Sequence, residues 1–408
     1  TVLWNWVSGR SGGSAAWIAA VAVTATPALL LTAGWSWNEW PLLGITLALI
    51  VAIDRLAAGD DGWMGAATVA IAAGLLTKYT FVPLLLVVLA SALWSAAERR
   101  AAIVRATVGG LILGSIFFLR NLIAARNPIA PFFSSAAPDV SNFRRAGNVV
   151  ASITNYIFDG RIVDESLGIS MLILAAAFWL FWRALDEQRF LRGLGVLMTA
   201  LTVALLFLFP TSRILVPSLA VLAGVGAMAW DRRCIAGWNA AVSILLGLAC
   251  AAQLFLCANF IAGLDPFALL GARQSESEYL DAHRPSYSSA SWVNRQVGAD
   301  SRTLVVGMNE LFWFDRPVRG GGNFDGPRID RYLGEGMSGD LLARLRRDGI
   351  THVAVFPARV PARSAGVLRA ERETTLSAAA TGNLATVLSA SNLIGESAEA
   401  RLYALPPP

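Results

Sequence analysis

Apolar residues fall in long blocks along the chain, separated by short polar breaks. A bilayer core about 30 Å thick needs about 20 apolar residues per helical span. Nine segments approach that length: 13–33, 39–57, 62–77, 79–95, 104–119, 166–183, 194–210, 213–230 and 237–262. The third and fourth form one run too long for a single span, and LLTKYT is the polar break in it. This predicts a tight turn around Lys78 between two helices. Pro83 then lies in the first turn of the second helix, where its missing N–H costs little.

The pattern changes after residue 262. SASWVNRQV reads as a helix, RTLVVGM as an apolar strand, and GDLLARLRRDGI as a helix closed by glycine. THVAVF and ARLYAL read as further strands. Strands and helices alternating in this way suggest a small α/β domain. The expected fold is mainly α: a polytopic transmembrane helical bundle of about nine spans over residues 1–262, then a C-terminal α/β domain over 263–408. Residues 120–165 form a long outer loop, read as an interfacial segment with an amphipathic piece.

Composition agrees. The chain is 55% hydrophobic and 15% charged, against about 25% charged for a soluble domain. The net charge of +5 does not point to nucleic acid, because the arginines sit at block ends, where the positive-inside rule places them. AAERRAAIVR carries Arg99, Arg100 and Arg105; WRALDEQRFLR carries Arg183, Arg189 and Arg192; WDRRC carries Arg232 and Arg233; VAIDRL carries Arg55. With these and Arg10 on the cytoplasmic side, the spans alternate without conflict. The opposite side receives GWSWNEW, LLTKYT, the loop after Leu119, the FPTSR turn and the C-terminal domain. The expected location is a bacterial inner membrane, crossed many times, with the C-terminal domain extracytoplasmic.

Cys250 and Cys257 fall inside an apolar helix and read as packing residues. No CxxC or Cys/His metal spacing occurs, and His283 and His352 are the only histidines. The chain opens on Thr1 with no signal-peptide pattern, so a fragment or processed form of a longer protein is expected.

Candidate chemistry gathers on the outer side. Lys78 is the chain's only lysine. A lysine at a span end is ordinarily a snorkelling anchor, yet an ammonium is also a compact charge suited to phosphate. Glu39 stands among Trp35, Trp37 and Trp40: either an ordinary carboxylate in an aromatic belt, or a base for an acceptor hydroxyl or a ligand for a divalent cation. Arg213 and Arg120 are interface anchors or phosphate clamps. Asn38, Tyr79, Asn121 and Asn127 are candidate substrate contacts. Gly224 and Gly226 read as helix-packing glycines. RGGGNFDG lacks the P-loop pattern. SEYLDAHRPSY reads as a polar linker.

Four motifs resemble a known superfamily. AAGLLTKYTFVPLLL resembles the lysine-bearing turn between two spans of the GT-C glycosyltransferases, which include the dolichyl-phosphate-mannose protein mannosyltransferases and the bacterial aminoarabinose lipid A transferases. FFLRNLIAARNPIAPFF resembles the segment that follows a span in bacterial members. TSRILVPSLAVLAG resembles a span start there, and SASWVNRQVGADSRTLVVG with DGITHVAVF resembles the extracytoplasmic tail of uncharacterised bacterial members. The resemblance implies transfer of a sugar from a polyprenyl-phosphate donor to a cell-envelope acceptor on the outer face. It places Lys78 and Arg213 at positions that hold the donor phosphate and Glu39 where members often carry an acid; Arg120 is a third candidate for the phosphate from its place at a span end. The superfamily's principal catalytic acid lies in a first outer loop that this sequence does not contain. The expectation is therefore either a longer parent protein or an inactive form. Two other classes stay open: a transporter or flippase of lipid-linked saccharide, and a non-catalytic partner in envelope assembly.

Overall fold

The apolar blocks marked off by the sequence are helical over most of their described residues in the computed structural model, which describes residues 1–31, 39–128, 167–208, 212–232, 236–308, 311–320, 326–336, 338–356, 376–397 and 400–407. A short helix α1 (Val2–Ser8) comes first. Then follow α2 (Gly13–Thr24), α3 (Pro27–Leu30), α4 (Glu39–Ala57), α5 (Met64–Thr77), α6 (Phe81–Ser95) and α7 (Arg100–Ala125). After residue 166 come α8 (Ile169–Phe181), α9 (Arg189–Leu208), α10 (Val216–Arg232) and α11 (Ala236–Leu264). Four described segments are long and apolar enough to cross a membrane: Trp40–Ala57, Ala97–Ala124, Arg189–Phe207 and Ala240–Leu264. Gly13–Thr24, Phe81–Ser95 and Ile169–Leu185 are apolar but shorter.

Two boundaries differ from the sequence expectation. The segment drawn as one span over 13–33 breaks between α2 and α3. Pro27 supplies no N–H and disfavours a helical residue before it, and Thr26 is extended at φ −65°, ψ 122°. The span drawn to residue 119 runs on to Ala125, so Arg120 and Asn121 belong to a helix and not to the outer loop. Nothing in RNLIAA breaks a helix; the stop is Arg126, in the left-handed region at φ 53°, with Pro128 just beyond.

α10 is the hub of this unit, buried at every position from Val216 to Trp230. α7 and α11 instead leave large apolar side chains exposed, among them Ile116, Ile123, Leu248 and Phe255. Outward apolar faces of that kind suit lipid, in which every backbone polar group must be satisfied within the helix. Charged side chains bind one end of the helices together. Arg10 holds Asp54 through two contacts of 2.6 and 2.9 Å, joining the turn after α1 to the last turn of α4. Asp231, near the end of α10, accepts from the Gly12 N–H at 2.9 Å at the start of α2. Arg99 pairs with Asp61 at 3.1 Å, joining the start of α7 to the turn between α4 and α5. Arg10, Arg55, Arg99 and Arg232 therefore share one end, the grouping that the loop charges predict.

From Phe260 the chain forms a second compact unit. It contains α12 (Pro266–Leu270), α13 (Glu276–His283), α14 (Pro285–Gln296), β1 (Thr303–Val306), β2 (Val318–Gly320), α15 (Gly326–Gly334), α16 (Ser338–Arg347), β3 (His352–Val355), α17 (Ala378–Ser389), β4 (Asn392–Glu396) and β5 (Arg401–Ala404). The sheet order is β2-β1-β3-β5-β4. β2, β1 and β3 are parallel, and β5 and β4 run antiparallel to their neighbours. Alternate residues face opposite layers. Leu304, Val306 and Val353 pack with Leu333, Leu341, Leu345 and Leu384, whereas Val305, Ala354 and Leu402 pack with Ala290 and Val293 of α14. A helix layer on each face explains why β1 is buried throughout. The expected glycine stop is Gly349, at φ +73°. There Ile350 N–H bonds Leu345 O and Gly349 N–H bonds Arg346 O, the double closure that favours glycine.

Candidate functional site

The Lys78 turn forms because three residues reverse the chain between two apolar helices. α5 ends at Thr77, and Lys78 is extended at φ −164°, ψ 141° while its N–H still reaches Gly74 O at 3.2 Å. Phe81 N–H bonds Lys78 O and Val82 N–H bonds Tyr79 O, both at 3.0 Å, which starts α6 at once. The fully buried Phe81 ring lies on Gly74, where any side chain would collide with it. The glycine thus folds α6 back over α5.

Tyr79 fastens this turn to α7. Asn121 Nδ2 donates to the Tyr79 hydroxyl at 2.5 Å. The Tyr79 ring lies 5.3 Å from that of Phe117 and 6.2 Å from that of Phe118. Lys78 and Asn121 are half-buried, and Arg120 is exposed on the same last turns of α7. Asn127 follows the helix stop and is half-buried.

The other candidates are placed by backbone. Glu39 opens α4, and the antiparallel run of α4, α5 and α7 sets that start at the Lys78 end; its side chain lies outside the described residues. Arg213 lies in a single 3₁₀ turn, Ser212–Leu215, between α9 and α10. Gly193, at the start of α9, sits beside Trp94 at the end of α6. α9 therefore runs antiparallel to α6 and finishes at the end where α6 begins, so Arg213 also falls at the Lys78 end. Its side chain, like Asn38 as a whole, lies outside the described residues. The structure thus brings Tyr79 and Asn121 into contact and sets the backbones of Glu39, Lys78, Arg120 and Arg213 at one end of the helices. Among the described residues no three His, Cys, Asp or Glu side chains converge to hold a metal ion.

Sequence reasoning missed a cavity of about 620 Å³ at the opposite, arginine-bearing end. Val2, Trp6, Arg10, Val51, Asp54 and Arg55 line it. The signal was present: Asp54 is an acid within an apolar block, and Arg10 is a base in the turn before α2.

In the C-terminal unit, the linker residues serve structure. Tyr279 donates to Leu264 O at 2.7 Å, capping the last turn of α11, and its ring stacks on His283. Burial pushes the Tyr279 phenol up. Asp348 accepts from Tyr332 at 2.8 Å and pairs with Arg319. The Tyr332 hydrogen bond, with the Arg319 charge, lowers the Asp348 carboxyl, and burial together with Asp348 pushes the Tyr332 phenol to about 12.

A helical bundle with spans long enough for a membrane, followed by an α/β unit, defines a polytopic membrane protein. Its fold is shared with ArnT from Cupriavidus metallidurans. The apo structure of ArnT superposes with a TM-score of 0.56 at 17% identity, covering 100% of this chain and 82% of that one. The structure of the same protein bound to undecaprenyl phosphate gives 0.54 at 15% identity, with the same coverage. Arabinofuranosyltransferase AftD from Mycobacteria aligns over 97% of this chain and 31% of its own, with a TM-score of 0.44 and 14% identity, too low to bear on the assignment. No protein-family model and no curated protein matches the chain.

Proposed function

We propose that the chain is a GT-C membrane glycosyltransferase that moves a sugar from a polyprenyl-phosphate donor to a cell-envelope acceptor on the outer face of a bacterial inner membrane. Lys78, Arg120 and Arg213 hold the donor phosphate, Glu39 takes the acceptor proton, and Asn38, Tyr79, Asn121 and Asn127 contact the substrates. The observation that carries this reading is the Tyr79–Asn121 hydrogen bond. It ties the turn bearing the only lysine to the helix end bearing Arg120, two basic groups at one membrane edge. The fold shared with ArnT, which has been solved with undecaprenyl phosphate bound, supports the choice of lipid.

The chemistry follows from charge. Cleaving the bond between sugar and lipid phosphate leaves negative charge on the phosphate, and fixed cations beside it lower the barrier. A carboxylate near the acceptor hydroxyl removes its proton as the new bond forms. A site at the membrane edge lets the lipid tail stay in the bilayer.

The test is binding of undecaprenyl phosphate to the purified chain, alongside transfer from labelled polyprenyl-phosphate sugars in membranes. Lys78→Ala and Arg120→Ala are each expected to weaken lipid-phosphate binding about tenfold, the loss of one charge-assisted contact, with membrane insertion intact. Unchanged binding in both variants refutes the phosphate site. Saccharide flipping by the reconstituted chain, without transfer, would favour a transporter instead.

A further inference from the structure

The cavity at the arginine-bearing end has no part in the reading above, and its lining has a definite chemistry. Its volume of about 620 Å³ lies within the roughly 300–1,000 Å³ of small-molecule sites. Most of the wall is apolar: Val2 and Trp6 from α1, Val51 from α4, Trp63 and Ala66 beyond it. Three charged side chains face it, Arg10, Asp54 and Arg55. Arg10 is committed to Asp54 through both carboxylate oxygens, at 2.6 and 2.9 Å, and Asp54 is only 6% exposed. That pair is neutral and internally satisfied. Arg55 is exposed and makes no ion pair among the described residues, so the wall carries one net positive charge. A planar guanidinium suits phosphate oxygens. Trp40–Ala57 is long enough to cross a bilayer, and Arg55 lies two residues from its end, at headgroup depth.

We propose that this cavity binds an anionic phospholipid, with the phosphate on Arg55 and an acyl chain laid along Val2, Val51 and Ala66. The apolar wall asks for a tail, the single uncompensated cation asks for net negative charge, and the depth is that of a headgroup. A zwitterionic lipid supplies the tail without the charge, and free phosphate supplies the charge without the tail.

The test uses the full chain in detergent, with lipid retention read by native mass spectrometry and stability by thermal unfolding. Phosphatidylglycerol is expected to be retained and to raise the unfolding midpoint, and phosphatidylcholine and inorganic phosphate are not. Arg55→Gln should cut phosphatidylglycerol affinity about tenfold. Ala58→Trp, which fills the cavity from its exposed rim, should abolish retention and leave the lipid-free midpoint unchanged. The proposal is overturned if both variants retain phosphatidylglycerol as the parent does. Equal retention of phosphatidylcholine, or an equal shift with inorganic phosphate, overturns it as well.

Discussion

Replacing Gly226 with alanine should unlock the centre of the helical unit. Gly226 lies on α10 where it crosses α8, and the new methyl would meet backbone on the other helix. It would overlap the Leu174 carbonyl oxygen, and it would stand 2.8 Å from the carbonyl carbon and 3.3 Å from the Phe178 nitrogen. Ordinary contact begins at 3.4 Å, so the carbon alone demands a separation of about 0.6 Å, and the oxygen demands more. Backbone inside a helix cannot rotate away as a side chain can. The helices must part, and Met171, Leu174 and Phe178, all fully buried, lose part of their contact with α10. A gap of about 0.5–1 Å forfeits about a quarter to a half of each dispersion contact. With the strain of overpacking added, the expected loss is on the order of 3 kcal/mol. Gly247→Ala is the matched control, since an added methyl there meets nothing within 4 Å; it should be neutral or stabilising by up to ~1 kcal/mol. Unfolding in detergent, followed by tryptophan fluorescence, measures both. Equal stability of the two variants would refute the packing argument.

Removing Arg10 alone should destabilise the chain by roughly 3 kcal/mol, because Asp54 is left buried without its partner; Arg10→Met with Asp54→Leu should recover much of the loss in a double-mutant cycle read by thermal unfolding. Tyr79→Phe deletes the hydrogen bond to Asn121 and should cost about 1 kcal/mol, with lipid-phosphate binding weakened because the Lys78 turn loses its tie; a binding isotherm identical to the parent's counts against that coupling. His352 is held below its ordinary value of 6.5 by burial. The unfolded chain therefore binds the proton first, so stability contributed by neutral His352 is complete above 6.5 and falls as pH drops through the folded value. His352→Gln should remove that part of the pH slope, and an NMR titration of the chain's two histidines should show which one titrates low.

Much of this architecture was legible because its signals are local. The described parts of the apolar blocks are mostly helical, and RTLVVGM, read as an apolar strand, became β1, buried on both faces. LLTKYT was readable as a turn because nothing else interrupts that run. What failed depended on single backbone events or on distant partners. Pro27 broke a span whose composition is uniformly apolar. The helix ran on through RNLIAA because nothing there breaks it before Arg126, and no local pattern reveals that its asparagine meets Tyr79, forty-two residues away. The Arg10–Asp54 pair was hidden for the same reason: forty-four residues separate its members.

The two ends of the helical unit now differ in a way that bears on function. At the arginine-bearing end, bases meet acids: Arg10 with Asp54, Arg99 with Asp61, Arg192 with Asp186. Each of these pairs is neutral as a unit, and its field falls away within a Debye length of about 10 Å. At the other end, the described residues hold the side chains of Lys78, Arg120 and Arg126, with the backbones of Arg213 and of the acid Glu39. Arg120 and Arg126 have no ion pair among the described residues. A membrane anchor needs no such imbalance, since snorkelling charges are satisfied by headgroups on either side. A site that must attract a lipid phosphate and stabilise it as a leaving group does need one, because only a net positive field favours the more negative state. Raising the salt concentration should therefore weaken undecaprenyl phosphate binding at that end, and Glu39→Gln should strengthen it while lowering transfer. If Glu39→Gln left both unchanged, the carboxylate would belong to the aromatic belt and not to the site.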